Sequence, residues 1–198
     1  SAWNAVMTAE PGEQTFDIPA SAIEGELPRE LAGGRHLQNG PGWTKIGGRL
    51  AHPFDGHGLV RSLTFTNDGG ASYRARFVKT PAYVDEKAAG HLVHQGLGTN
   101  ISNSPLSNIR APGPRNVSNT TIQPWAGRLI SGWEGGRPYA LDAQSLETIG
   151  EETFGGALPD AAFLAHMRID TGADRLIGCN LFRESPSRFI FREFDATG

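Results

Sequence analysis

Short alternating segments separated by tight-turn residues constrain the fold of this chain more than any other feature. The stretch Gly58–Phe65, GLVRSLTF, alternates apolar and polar residues, the turn residues Asn67–Gly70 follow it, and Ala71–Val78 then returns. Alternation with a period of two is typical of a strand with one buried face, and the turn joins two such strands into a hairpin. Two further hairpins are predicted in the same way, Arg128–Trp133 with Arg137–Leu141 and Arg175–Phe182 with Arg188–Phe194.

Composition agrees with a fold made of many short strands. Glycine accounts for 26 of the 198 residues and proline for 13, without a collagen-like period. Turn residues at this density are typical of all-β chains. A helix is predicted over Tyr83–Gly90, YVDEKAAG, which ends in a glycine suited to a C-terminal cap. The residues alone predict an all-β fold and leave a sandwich, a barrel and propeller blades open.

Charge and cysteine content exclude several classes of function. The net charge of −3 gives no electrostatic attraction to nucleic acid. No apolar run approaches the roughly 18–20 residues that cross a bilayer, and no signal peptide is visible. Cys179 is the one cysteine of the sequence, and its surroundings, LIGCNLF, predict a buried strand thiol. We therefore expect a cytoplasmic protein that does not bind nucleic acid.

Two stretches depart from the pattern of short paired strands. Gln95–Arg115 has no periodicity and is rich in Gly, Ser, Asn and Pro, which predicts a long surface loop or lid. Residues 195–198 carry a turn signal directly after a strand, which predicts an open sheet edge. The chain is therefore expected to be a fragment or to depend on a second chain.

Three polar clusters carry candidate chemistry, each with a structural alternative. His52–Gly58, HPFDGHG, is either a metal-binding loop or a tight turn in which Asp55 bonds backbone amides. His91 and His94 are predicted to form a solvated pair. Glu134 follows a strand that ends in tryptophan, and it is expected to be exposed unless a partner such as a metal-bound imidazole turns it inward.

A single histidine, His166, lies in the stretch AFLAHMRID, between an apolar run and a strand-like continuation. A lone histidine beside apolar residues is either a buried core residue or one ligand of a metal site. The residues alone leave both alternatives open.

Several motifs together resemble the carotenoid cleavage oxygenase family, which is also called the retinal pigment epithelium protein family. The bacterial apocarotenoid-cleaving members look closest. The motifs, in the order of the family, are ELPRELAG (26–33), NGPG (39–42), HPFDGHGLV (52–60), RFVKTPAYVDE (76–86), NVSNTT (116–121), RLISGWEGGRPYALDAQSLETIG (128–150) and AHMRID (165–170). The resemblance implies the N-terminal blades of a seven-bladed β-propeller with cap loops, the long cap loop lying at about residues 95–115.

The resemblance also implies the chemistry. Family members hold a non-haem ferrous iron with four histidines, use O₂ to cleave a C=C bond of a polyene, and release two carbonyl products. It assigns His166 as the first iron ligand and Glu134 as a residue that orients an iron-bound histidine other than His166. Trp133 and Tyr83 are candidates for the substrate tunnel, and no catalytic residue beyond the metal centre is assigned. The expected partners are a small hydrophobic substrate and O₂.

Trp133 indicates the substrate class. Members that cleave phenolic stilbenes carry a lysine immediately before the glutamate, so tryptophan favours an apocarotenoid-like substrate. Two alternatives remain. One is stilbenoid cleavage, and the other is a non-catalytic propeller module that binds a partner in a groove around Trp133 and Tyr83.

Departures from the family pattern limit the resemblance. Gln38 stands where the family usually has arginine, and His57 stands where it usually has aspartate, which we interpret as a surface or turn substitution. The cap loop lacks the strongly apolar stretch of membrane-associated members, so membrane contact has little support. Family members are more than twice as long, and three of the four iron histidines belong to later blades. Residues 1–198 are therefore expected to be the N-terminal part of one propeller domain and to need the later blades for activity.

Overall fold

The computed structural model describes residues 12–104, 106, 108, 115–159, 162–182 and 185–196. Its strands form three antiparallel sheets of four or five strands and one short separate hairpin. The middle part of the predicted cap loop and the last two residues of the chain lie outside the described residues.

The first sheet contains the first predicted hairpin. Its strands run in the order β1-β7-β6-β2, and β3 also pairs with β6. Phe65 lies opposite Ala71, so the turn falls where the sequence predicts it. The elements of this part are β1 (Gln14–Ile18), β2 (Arg35–Gln38), β3 (Pro41–Trp43), β6 (His57–Phe65) and β7 (Ala71–Phe77), with the separate hairpin β4 (Lys45–Ile46) and β5 (Arg49–Leu50).

The second sheet is a simple meander. Its strands lie in the order β11-β10-β9-β8, so every strand pairs with its neighbour in the sequence. The second predicted hairpin is the β9–β10 pair, in which Leu141 lies opposite Leu129. The strands are β8 (Thr121–Trp125), β9 (Arg128–Gly132), β10 (Tyr139–Asp142) and β11 (Thr148–Glu151).

The third sheet is built around one long strand. β14 pairs with β15 along one edge and with the short strands β12 and β13 along the other. Among the described residues β15 pairs with β14 alone, which agrees with the predicted open edge. Cys179 is buried on β14, as predicted. The strands are β12 (Ala162–Phe163), β13 (Arg168–Asp170), β14 (Arg175–Phe182) and β15 (Arg188–Phe194).

Helix α1 (Pro81–Ala89) confirms the predicted helix and begins two residues earlier than expected. The Thr80 hydroxyl accepts a hydrogen bond from the Tyr83 amide at 3.2 Å, and Pro81 occupies the first helical turn, where its missing N–H costs nothing. The helix ends at Gly90, as predicted. Among the described residues, no helix is long and apolar enough to span a membrane.

The middle sheet is packed on both faces. Leu129 of β9 lies in a cluster with Val60 of the first sheet, whereas its neighbour Ile130 lies in a cluster with Phe163 and Met167 of the third. Successive side chains of a strand point to opposite faces, so β9 joins both interfaces. Three sheets stacked face to face in chain order have the arrangement of neighbouring propeller blades.

Candidate functional site

An irregularity in the third sheet presents His166. Phe163 lies opposite Asn180 and Arg168 lies opposite Ile177, so residues 164–167 span the length that residues 178 and 179 cover on β14. The extra length forms a bulge, and the Met167 amide donates to the Ala165 carbonyl at 2.9 Å, which closes a three-residue turn centred on His166. The bulge therefore turns the His166 side chain away from the sheet.

The neighbours of His166 anchor this turn. Ala165 and Met167 are fully buried, whereas the His166 side chain is 65% exposed. The Thr121 hydroxyl of the second sheet donates to the Ala165 carbonyl at 2.6 Å and ties the turn to the neighbouring sheet. The alternative of a buried core histidine is therefore wrong, because the apolar residues on either side take the buried positions and His166 does not.

Glu134 reaches His166 from the second sheet. Its Oε1 atom lies 3.2 Å from Nε2 of His166, and its side chain is 40% exposed. The resemblance predicts a different histidine as the partner, so the described residues give Glu134 a partner that the sequence does not indicate. The turn after β9 allows this position because a Cβ on Gly135 would lie 2.4 Å from the Trp133 ring, which folds back over the turn and is 4% exposed.

A cavity of about 410 Å³ contains this pair. Its walls combine apolar side chains with amides, a hydroxyl and the two ionisable groups. The lining residues are Asn39, Gly40, Pro41, Phe54, Leu97, Asn119, Thr120, Trp133, Glu134 and His166. The predicted residues Trp133, Glu134 and His166 thus come together in one cavity of a size that suits a small molecule.

Tyr83 lies elsewhere. Its ring stacks on Phe77 at 5.1 Å between centroids and meets His57 edge-on at 5.4 Å, and burial raises the pKa of its hydroxyl. It does not line the cavity that contains Trp133. Within the described residues Trp133 and Tyr83 therefore do not share this cavity, and a tunnel role for Tyr83 stays a prediction.

The HPFDGHG stretch is a turn, as its structural alternative predicts. Asp55 is fully buried, and its carboxylate accepts hydrogen bonds from the amides of Leu97 at 2.7 Å and Gly98 at 2.9 Å. The Asn119 side-chain amide donates to the carbonyls of Phe54 and Gly56 at 2.9 and 2.8 Å. Asp55 is thus occupied by backbone donors rather than aimed at a metal site.

His57 is a correction to the sequence prediction, because its side chain is fully buried rather than at the surface. Its Nε2 lies 2.7 Å from Oε2 of Glu86, which also pairs with Arg115 at 2.8 Å, and all three side chains are 0% exposed. Burial, followed by the nearby Arg115 guanidinium, lowers the pKa of His57 despite the hydrogen bond to Glu86. Burial alone raises the pKa of Glu86, but the His57 hydrogen bond and Arg115 outweigh it and bring that pKa to about 2.

The predicted surface loop is also partly internal. Arg115, its last residue, is 2% exposed, and its amide donates to the Gln95 carbonyl at 2.8 Å, which closes the base of the loop. The predicted solvated pair is half right, because His91 is exposed but His94 is 14% exposed and lies 2.8 Å from Asp85. The helix and the buried Glu86 explain both departures, since they draw the ends of the loop inward.

The chain is similar to proteins of one known family over nearly its whole length. The family model of the retinal pigment epithelial membrane protein matches residues 9–198. The chain belongs to this family. Apocarotenoid-15,15'-oxygenase of Synechocystis is 39% identical over 160 residues, which is 79% of this chain and 32% of that protein. A crystal structure of a chimera of apocarotenoid oxygenase and the retinal pigment epithelial membrane protein superposes with a TM-score of 0.89 at 33% identity, over 99% of this chain and 42% of the other.

These retinal pigment epithelial membrane protein relatives confirm the all-β fold of stacked propeller blades, the N-terminal part of a seven-bladed propeller. The chain spans about a third of the length of the curated relatives that it matches. The relatives also include a resveratrol cleavage oxygenase of Chaetomium globosum, 32% identical over 63% of this chain and 20% of that protein. Solved forms of the Synechocystis enzyme include a cobalt-substituted one and variants at a tryptophan and at the glutamate that directly follows it.

The described residues bring few potential metal ligands together. No group of three or more His, Cys, Asp or Glu side chains that could hold a metal ion occurs within the residues the structure describes. His166 is the imidazole that faces the cavity. The assignment of His166 as one of the four iron ligands that the resemblance implies therefore stays a prediction.

The sequence does not indicate several of the residues that line the cavity. Asn119 and Thr120 belong to the NVSNTT motif, whose side chains bond the backbone, and Leu97 belongs to the segment interpreted as a polar loop. The signal for Leu97 is that it is a large apolar residue in an otherwise polar segment. The Leu97 amide donates a hydrogen bond to Asp55, and no local pattern predicts that contact because 42 residues separate the two.

Proposed function

We propose that this chain supplies part of an iron(II)-dependent oxygenase that cleaves a C=C bond of an apocarotenoid-like polyene with O₂ and releases two carbonyl products. The observation that carries the proposal is the exposed His166 imidazole, which faces Glu134 at 3.2 Å inside a cavity with apolar walls. An exposed imidazole with one carboxylate partner has the surroundings of a metal-ligating histidine, whose second ring nitrogen is commonly fixed by a carboxylate.

The donor chemistry at His166 fits the implied metal. A neutral imidazole is a good ligand for ferrous iron, and the Glu134 carboxylate lies 3.2 Å from Nε2 of His166, close enough to orient the ring. When bound, the iron supplies the binding and activation of O₂. The remaining histidine ligands come from outside the described residues, in agreement with the 32% of the Synechocystis protein that this chain covers.

The chain's own residues prepare the cavity for an apolar substrate. Pro41, Phe54, Leu97 and Trp133 provide apolar walls, which suit a polyene because they offer it apolar contact without competing hydrogen bonds. Thr120 adds a hydroxyl to the same wall. The protein thus selects which part of the substrate lies near His166 through the shape of the cavity.

The substrate class rests on Trp133 and on the relatives. Tryptophan immediately before Glu134 provides an apolar ring where the stilbene-cleaving members have a lysine. The Synechocystis relative acts on an apocarotenoid by its name. A cytoplasmic location remains a prediction from the single cysteine.

The test uses the complete protein that carries this chain, loaded with ferrous iron. We expect it to consume O₂ and to bleach the absorbance of an apocarotenal, with two carbonyl products detected by mass spectrometry. His166→Ala is expected to lose bound iron and activity, because an exposed ligand disappears without damage to the core. His91→Ala, another exposed histidine, is the matched control and retains both.

Two outcomes contradict the proposal. A His166→Ala protein that keeps its iron and its turnover excludes the ligand assignment. Turnover of a hydroxystilbene with unchanged polyene absorbance excludes the apocarotenoid substrate and favours stilbenoid cleavage. Stilbenoid cleavage is the second candidate because a resveratrol cleavage oxygenase is among the relatives.

A further inference from the structure

A buried carboxylate at Asp55 binds one short segment of the chain. Its Oδ1 atom accepts from the Leu97 amide at 2.7 Å, and its Oδ2 atom accepts from the Gly98 amide at 2.9 Å and the Thr99 hydroxyl at 2.7 Å. The Asp55 side chain is fully buried. A buried carboxylate is costly unless donors satisfy it. These three donors come from consecutive residues, so the conformation of residues 97–99 is tied to this one group.

The segment is a tight turn with no room for adjustment. The Gly96 amide donates to the Thr99 carbonyl at 2.9 Å, and the Thr99 hydroxyl also accepts from the His52 amide at 2.7 Å. A Cβ on Gly96 would lie 2.3 Å from the Asp55 carboxylate. The turn therefore packs directly against the group that holds it.

A second buried carboxylate holds the preceding residues. Glu86 accepts from the amides of Val93 and His94, each at 3.1 Å. Arg115 joins the two carboxylate-bearing residues, because it pairs with Glu86 and also donates to the Asp55 carbonyl. Residues 93–99 are thus fixed at both ends by groups in the protein interior.

The fixed turn carries an apolar side chain into the cavity. Leu97 lines the cavity that contains His166, although its side chain is 61% exposed. Phe54, which directly precedes Asp55, lines the same cavity and is 71% exposed. Two large apolar side chains left exposed on one cavity gain nothing from folding, whereas contact with an apolar ligand would bury both.

We infer that Asp55 is a positioning residue, whose buried carboxylate fixes residues 97–99 so that Leu97 forms an apolar wall against the polyene. This assignment rests on the proposed function, since it takes the polyene as the occupant of the cavity. Asp55 acts through Leu97 and touches neither the substrate nor the metal. Its removal therefore changes substrate binding more than it changes the chemical step.

The test compares Leu97→Ala and Asp55→Asn in the complete iron-loaded protein. We expect each to weaken apocarotenal binding and to raise KM about tenfold, the loss that follows from one apolar side chain, while kcat and iron per chain stay within about twofold. The matched control is Asp142→Asn. Asp142 likewise accepts from three donors, the amides of Gln144 and Ser145 and the Ser145 hydroxyl, but it does not line the cavity.

Two milder variants at Thr99 provide the same test if the Asp55→Asn protein does not fold. Thr99→Val keeps the shape of the side chain but removes the hydroxyl, which donates to Asp55 and accepts from the His52 amide, whereas Thr99→Ser retains both hydrogen bonds. We expect a KM increase of about threefold for the valine variant and none for the serine variant, because two of the three donors to Asp55 still hold the turn.

The outcomes separate this inference from the proposed function. A wild-type protein that binds apocarotenal without cleaving it overturns the proposed function, and the binding constants of the variants then decide the role of Asp55. Unchanged binding and KM in Leu97→Ala, or a loss of kcat and iron with unchanged KM in Asp55→Asn, overturns the inference. A wild-type protein that does not bind the polyene overturns both.

Discussion

Two histidine–glutamate pairs among the described residues are built in opposite ways. His57 and Glu86 lie 2.7 Å apart with both side chains 0% exposed, and Arg115 and two backbone amides fill the remaining positions around the carboxylate. His166 and Glu134 lie 3.2 Å apart with side chains 65% and 40% exposed, and they face a cavity. The first pair is a structural link between distant segments, and the second retains the accessibility that binding requires.

The difference shows that residue type does not identify a functional pair. A buried charge must have a counter-charge, because an unpaired buried charge costs several kcal/mol. An exposed pair stabilises the fold by about 0–1 kcal/mol, so its retention in a cavity is not explained by stability. Burial of the partners, rather than the pairing itself, separates the two roles.

The largest expected effect on stability follows from breaking the buried pair. Glu86→Gln leaves Arg115 without its counter-charge, so we expect the free energy of unfolding to fall by about 3–5 kcal/mol. Glu134→Gln, the same substitution in the exposed pair, is expected to change it by no more than about 0.5 kcal/mol. Urea denaturation of the two variants measures the difference, and similar losses in both would abolish the distinction.

Acid is expected to act on the buried pair with the next largest effect. The pKa of His57 is lowered from 6.5, so below pH 6.5 the unfolded chain binds a proton that the folded chain does not, and stability falls. The pKa of Glu86 is lowered from 4.5 to about 2, so its contribution of about 3 kcal/mol is present above pH 4.5 and is lost as the pH falls toward 2.

Denaturation midpoints measured between pH 7 and pH 3 check this dependence. The decline is expected to begin below pH 6.5 and to steepen below pH 4.5, and Glu86→Gln is expected to remove the steeper part. A wild-type stability that stays constant from pH 6.5 to pH 3 would contradict the charge assignment of the buried pair.

The smallest expected effect concerns the exposed pair. Glu134→Gln keeps the shape of the side chain but weakens its hold on the His166 ring, so we expect the affinity for ferrous iron to fall about 10- to 100-fold. Glu151→Gln is the control, because Glu151 is a similarly exposed partner of Arg137 at 3.2 Å. Competition with a chelator measures both, and equal iron affinities in the two variants would remove Glu134 from the site.

The local elements of this fold follow from the sequence. Alternation and turn residues predict the three hairpins, since strand pattern and turn chemistry act over a few residues. Thr80, Pro81 and Gly90 mark the helix for the same reason. Cys179 is predicted correctly because its neighbours on the strand are apolar.

The site required the tertiary structure. Glu134 and His166 meet because two sheets pack against each other, and 32 residues separate them in the chain. The sequence does not predict that His57 is buried. Its partner Glu86 lies on a helix 29 residues away, and Arg115, which pairs with Glu86, lies at the end of a loop a further 29 residues along the chain. Tyr83 was associated with Trp133 by resemblance, but packing on Phe77 keeps it away from the cavity.

The sequence by itself determined the strands, the helix, the buried cysteine and, through its ordered motifs, the family. Only the tertiary structure decided which histidine is buried and which is presented, because burial depends on how segments distant in the chain pack together. His166 is exposed since a bulge turns it away from the apolar side chains of Ala165 and Met167. His57 is enclosed because the paired side chains of Glu86 and Arg115 pack around it from distant segments, and no local pattern records that contact.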